Sequence, residues 1–181
     1  MAILKLTKLG HPMLAQPASL IADPSAPEIQ RLIADMIETL DDSGGVGLAA
    51  PQVHQSLRLF IYRVPDHRAT HAPDDQPAPL QVVINPEIIE SSADLADEWE
   101  GCLSIPGLTG KVRRPASIVL RGLDAQGAEF IRPAAGFHAR VIQHEADHLD
   151  GIVYLARLAD PRAIGFHEEI TRHRPAIEEL L

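Results

Sequence analysis

The stretch QHEADHLDG at residues 143–151 sets two histidines four positions apart, with a glutamate directly after the first. On a helix a four-residue step turns about 400°, so His144 and His148 lie about 40° apart and one turn along, able to hold one ion between them. Glu145 lies about 100° round from His144, beside such an ion but off the ligand line, where a carboxylate suits proton transfer to and from an activated water. The same segment carries Phe137, Val141, Ile142 and Leu149, so the helix is expected to be at least partly buried. Two imidazoles and a carboxylate buried without partners are costly, and a metal ion supplies the partner.

Two nitrogens do not complete a catalytic tetrahedral site, which takes three protein ligands. Downstream candidates for the third are His167, Glu168, Glu169 and His173; upstream, Glu100-Gly101-Cys102-Leu103-Ser104 offers Cys102, the single thiol of the chain. A lone cysteine is commonly a small buried apolar side chain. Here Gly101 permits close backbone approach, and Glu100, Gly101 and Ser104 make a poor core strand. A thiolate with two imidazoles suits Fe²⁺, Zn²⁺, Co²⁺ or Ni²⁺ and not Mg²⁺ or Ca²⁺.

The single cysteine excludes an intramolecular disulfide. The start, MAILKLTKLG, is too short and too interrupted for a signal peptide, and a reducing cytoplasm is the expected location. No apolar run approaches the roughly 20 residues that cross a bilayer. Sixteen basic against 25 acidic side chains give a formal charge of −9, which disfavours broad contact with DNA or an anionic membrane. The length of 181 residues fits one domain, residues 1–181. Aromatics make up 4%, so the core must be built from Leu, Ile, Val, Ala and Met.

Ile29, Leu32, Ile33, Met36, Ile37 and Leu40 share one helical face, predicting a helix over about 26–42. Ser25 and Glu28 have the form of a capping box, and Gly44 and Gly45 a stop. Residues 45–52, GVGLAAPQ, show no amphipathic period. A strand is predicted at about 57–64, an exposed loop rich in Pro, Asp and His over 65–79, then a strand QVVINPEII broken by Pro86. Residues 116–133 read as a hairpin turning at Gly127. A helix follows over about 137–149, ended by Gly151, and a helical tail weakened by Pro175. The pattern implies an α+β fold with mostly antiparallel sheets around a central metal-binding helix.

Three segments together resemble the peptide deformylase family. Its G-x-G-x-A-A-x-Q motif stands as Gly45-Val46-Gly47-Leu48-Ala49-Ala50-Pro51-Gln52, its E-G-C-x-S motif as Glu100-Gly101-Cys102-Leu103-Ser104, and its Q-H-E-x-D-H motif as Gln143-His144-Glu145-Ala146-Asp147-His148. Order and separations match, and the resemblance runs over roughly residues 5–160. It implies an enzyme that removes the formyl group from the N-terminal formyl-methionine of newly made proteins. It also implies one Fe²⁺ per chain, replaceable by Zn²⁺, Ni²⁺ or Co²⁺, on Cys102, His144 and His148.

By the same resemblance Glu145 moves the proton, while the Leu103 backbone N–H and the Gln52 amide face the growing oxyanion. Val46 and Gly47 are expected to pair with an extended peptide. Gly101, Phe137, Arg140 and Val141 are expected around the methionine pocket, with the Arg140 guanidinium at its rim. Glu100 is expected to pair with Arg114 and brace the cysteine. Asp147 is expected either to hold a histidine's other ring nitrogen or to pair with a basic residue. Transient ribosome contact is a further family trait, although the tail after residue 160 lacks the strongly basic helix that mediates it in some relatives. The competing readings are an H-E-x-x-H zinc peptidase with a downstream ligand, and a metal-binding protein without activity.

Overall fold

The structure is a computed structural model describing residues 2–180. After a 3-10 turn at Pro12–Ala15 comes α1, Pro27–Ser43, which buries Ile29, Ile33, Met36 and Leu40 on one face. It ends at Gly44, whose φ of 66° is the left-handed cap a glycine adopts without strain. The predicted capping box does not form. The N-cap is Ala26, without a side-chain bond, because the N–H and hydroxyl of Ser25 both donate to Asp23 Oδ1, at 2.9 and 2.7 Å.

The strands are β1 Gly47–Ala49, β2 Leu59–Val64, β3 Ala78–Ser91, β4 Leu95–Cys102, β5 Ile105–Pro115, β6 Ser117–Leu123 and β7 Glu129–Ala135. Helix α2, Gly136–Leu149, follows, then β8, Ile164–Phe166, and α3, His167–Leu180. One five-stranded sheet has the order β1-β2-β3-β6-β7, and a three-stranded sheet the order β4-β5-β8. All their paired strands are antiparallel. Helix α2 lies between the sheets, touching β1, β2, β6 and β7 on one side and β5 on the other.

Three local predictions are corrected. Pro86 does not end the second strand: β3 runs through it, and the register against β6 shifts between Ile84 and Glu87. The distortion is taken up by Asn85, whose φ is 50° and whose side chain bonds both the N–H and the carbonyl of Ile21. Residues 65–79 are not wholly exposed, since Asp75 is buried and accepts bonds from Thr70 and from the His138 N–H. The cysteine segment is the end of β4, turning through Leu103 and Ser104 into β5. Its polar residues are compatible with a strand because they face a polar interior. Pro175 weakens the tail helix as expected, with non-helical dihedrals at His173. No helix among the described residues is long and apolar enough to cross a membrane.

Candidate metal centre

The end of β4 and the middle of α2 meet at Cys102, His144 and His148. Their ligand atoms all lie within 4.8 Å of one another. Cys102 Sγ is 3.3 Å from His148 Nε2. A tetrahedral ion with zinc-like bonds separates a sulfur from a nitrogen by about 3.6 Å, so the donor set fits such an ion with little movement. Among the described residues no downstream acid or histidine forms a metal-holding group with the pair. His167 lines the cleft, while Glu169 pairs with Arg172 and His173 on the exposed α3.

The histidine orientation comes from Glu100. His144 Nδ1 lies 2.9 Å from Glu100 Oε2, and a carboxylate there requires Nδ1–H, which leaves Nε2 free for a metal. Glu100 also accepts from Arg114 Nε and Nη2 at 2.7 and 3.0 Å and from Arg140 Nη1 at 2.6 Å. Burial acts to raise the Glu100 pKa, but the bonds and charges of His144 and Arg114 outweigh it and hold the carboxyl well below the usual range. Asp147 does not serve a histidine. It pairs with Arg114 and Arg157, each at 2.8 Å, taking the basic partners left open for it in the sequence. Among the described residues His148 Nδ1 has no hydrogen-bond partner.

Arg140 departs from expectation. It borders the cleft, but its guanidinium is not free at the rim: it is buried on Glu100, Val112 O and Ala96 O. Four residues before His144, it shares that histidine's face and meets the same carboxylate.

Glu145 is buried, and its Oε2 has no hydrogen-bond partner among the described residues. Burial, the largest cause, pushes its carboxyl up to about 7. Burial likewise drives the His148 pKa well down, whereas Cys102 and Glu100 outweigh burial and lift that of His144. A cation held by His144 Nε2 would displace the proton from that nitrogen and leave Nδ1–H on Glu100, as metal ligation does generally. The carboxylate of Glu145 rests against Gly47, where any Cβ would collide with it. That is a second reason for a glycine in the first motif, besides peptide pairing.

The 3-10 turn Ala50–Val53 carries Gln52 into the site. Its Oε1 accepts from Ala49 N at 2.8 Å, so Nε2 faces Cys102 Sγ at 3.4 Å and Ser104 Oγ at 3.2 Å. Val46, Gly47, Gly101, Leu103, Phe137 and Val141 all line the same cleft, of about 780 Å³. The Val46 carbonyl is already taken by Arg63 N, at 2.8 Å. Strand alternation then turns the N–H and carbonyl of Gly47 to the open edge of β1. Sequence reasoning missed several supports. Lys8 donates to Leu103 O, Tyr154 stacks on His144, and Ser104 holds Gln52. Only Ser104, inside a motif, carried a signal.

A sulfur and two imidazoles converging beside a buried carboxylate, in a cleft open to a ligand, fit the class of metal-dependent hydrolases. A sequence profile of the polypeptide deformylase family matches residues 3–163. Peptide deformylase 1 of Nitrosomonas europaea is 42% identical over 163 residues, covering 90% of this chain and 92% of its own length. The solved peptide deformylase of Ehrlichia chaffeensis, in complex with actinonin, superposes with a TM-score of 0.82 at 31% identity, covering 99% of this chain and 96% of that one. A class I type b peptide deformylase of Acinetobacter baumannii bound to Met-Ala-Ser gives a TM-score of 0.78 at 34% identity, covering 87% and 99%. The chain belongs to the peptide deformylase family.

Proposed function

We propose that this chain hydrolyses the formyl amide of N-terminal formyl-methionine on newly made polypeptides, releasing formate, with Fe²⁺ as the working ion on Cys102, His144 and His148. Zn²⁺, Ni²⁺ and Co²⁺ suit the same donors. A bound cation supplies Lewis acidity, polarising the formyl carbonyl and easing deprotonation of water near neutral pH. Its charge would also oppose the burial effect on Glu145 and favour the carboxylate. Glu145 then takes the proton of the attacking water and passes it to the departing amine as the C–N bond breaks. Gln52 Nε2 and the Leu103 N–H receive the charge growing on the formyl oxygen. The open edge at Gly47 aligns the peptide as an added strand, independently of its sequence. Phe137 and Val141 provide apolar wall for the methionine.

One observation carries this reading: the sulfur and two rings share a site with a buried carboxylate oxygen that has no hydrogen-bond partner among the described residues. The relative solved with Met-Ala-Ser supports the substrate class. A nascent chain implies a cytoplasmic enzyme that meets the ribosome transiently. Helix α3 gives that meeting no basic face, because Glu168, Glu169, Glu178 and Glu179 outnumber Arg172 and Arg174. The test is anaerobic metal analysis beside formate release from formyl-Met-Ala-Ser. Stoichiometric iron with steady formate release is expected. Stoichiometric metal without formate release would leave a silent metal-binding protein. Retention of metal and activity in Cys102→Ser would favour the zinc peptidase.

A further inference from the structure

We infer that Arg68 selects acidic side chains in the peptide just downstream of the formyl-methionine, a specificity that rests on the deformylase reading. Arg68 ends the 3-10 turn Asp66–Arg68, and its guanidinium carbon lies 4.1 Å from the centroid of the Phe137 ring. Phe137 lines the main cleft. A second cavity of about 370 Å³ adjoins it, and Arg68, Trp99, Phe137 and Arg140 border both. Arg68 therefore stands at the junction of the two cavities, where the second one offers an extended peptide a continuation beyond the main cleft.

Two features suit it to a carboxylate. Stacking occupies the flat face of a guanidinium and leaves its in-plane N–H groups as a fork that matches two carboxylate oxygens. Among the described residues Arg68 has no ion pair of its own. Arg140, the other arginine at the junction, is committed to Glu100.

The loop that carries Arg68 is tethered. Asp75 accepts from the N–H and hydroxyl of Thr70 at 3.1 and 2.8 Å, and from His138 N in the first turn of α2 at 3.1 Å. Ala135 N adds a bond to Asp74 O at 2.8 Å. Gly136 admits this clamp, because a Cβ there would strike the Asp75 carboxylate. A guanidinium held in place in this way loses less freedom on binding than a free one.

The surrounding charge agrees. Outside the buried network the charged residues bordering the cleft are Lys8 and Arg68, although the chain as a whole carries −9. Glu98, on the wall of the second cavity, is the acidic group that opposes them.

The experiment uses the full, metal-loaded chain and C-terminally amidated peptides. Aspartate or lysine is placed at the second or third position, and rates are normalised to formyl-Met-Ala-Ser amide. For the parent, kcat/KM should favour aspartate over lysine by about three- to tenfold at one of these positions, the scale of an exposed, geometrically favoured ion pair plus the matching repulsion. The ratio should shrink with added salt. It should approach one in Arg68→Ala and invert in Arg68→Glu. Ratios within each protein cancel general effects on folding or metal loading. A parent ratio near one at both positions, or a preference that survives Arg68→Ala, overturns the inference. Failure of the parent to cleave the neutral peptide overturns the deformylase reading instead.

Discussion

Helix α2 meets two unlike partners. On one side Ala139, Ile142, Ala146 and Leu149 pack with Phe60, Tyr62 and Leu120 of the five-stranded sheet. On the other, Arg140, His144 and Asp147 meet Glu100 and Arg114 through contacts of 2.6, 2.9 and 2.8 Å. Apolar packing has no direction, so it decides where the helix lies. Charge-assisted hydrogen bonds have direction, so they decide which ring nitrogen faces the sulfur. One face holds the catalytic helix in place, and the other aims it.

The largest expected effect is at the seam, where Glu145 of α2 lies against Gly47 of β1. Glu145→Gln should retain metal and lose about 10²–10⁴ in kcat. Turnover within a few-fold of the parent would remove Glu145 from proton transfer. Next comes a paired test of the two faces. Glu100→Ala strands buried guanidinium groups and should cost about 3–5 kcal/mol of stability, with a 10- to 100-fold loss of metal affinity, roughly. Ile142→Ala should cost about 2–5 kcal/mol and leave metal affinity nearly unchanged. Equal losses of metal affinity in the two variants, by competition with a chelating dye, would break the division between placing and aiming.

A smaller effect concerns pH in the metal-free protein. Burial, with repulsion from Glu100, raises the Glu145 carboxyl from 4.5 to about 7, against the pull of His144 and Arg114. The folded chain then keeps a proton that the unfolded chain releases above 4.5, so stability from this group falls as pH climbs from 4.5 to about 7. The loss is at most roughly 3 kcal/mol. Urea unfolding of parent and Glu145→Gln at the two ends of that window should show the parent losing stability relative to the variant as pH rises, the histidine contributions being common to both; an unchanged difference would remove the effect. Smallest is Gly47→Ala, where the new methyl displaces the Glu145 carboxylate. About a tenfold loss of activity with metal retained is expected, from misplacement of a single proton-transfer group. Full activity would show that the carboxylate has room to move.

The two faces were not equally legible in the sequence. Periodicity exposed α1 and the apolar stripe of α2, and Gly127 marked the hairpin, because burial of one face leaves a repeat. The three catalytic segments were visible as fixed residue patterns. The sheet of β4, β5 and β8 left no such trace, because its buried positions mix apolar Ile105 and Val112 with Glu100, Thr109 and Arg114, so no regular apolar alternation marks it. Arg140 was misplaced because its partners come from strands β4 and β5, with Glu100 40 residues and Val112 28 residues away in sequence. Asp75 was hidden in a loop of polar composition, where nothing local distinguishes the one buried carboxylate. Pro86 misled because Asn85 absorbs a distortion that a proline would otherwise turn into a strand end.

The central claim is that a sulfur from β4 and two imidazoles from α2 grip the same ion. X-ray absorption on the zinc-loaded protein tests it directly. The expected spectrum has one sulfur at about 2.3 Å and imidazole nitrogens at about 2.0–2.1 Å. A shell of nitrogen and oxygen alone, with Cys102 still reactive toward a thiol reagent in the loaded protein, would contradict it.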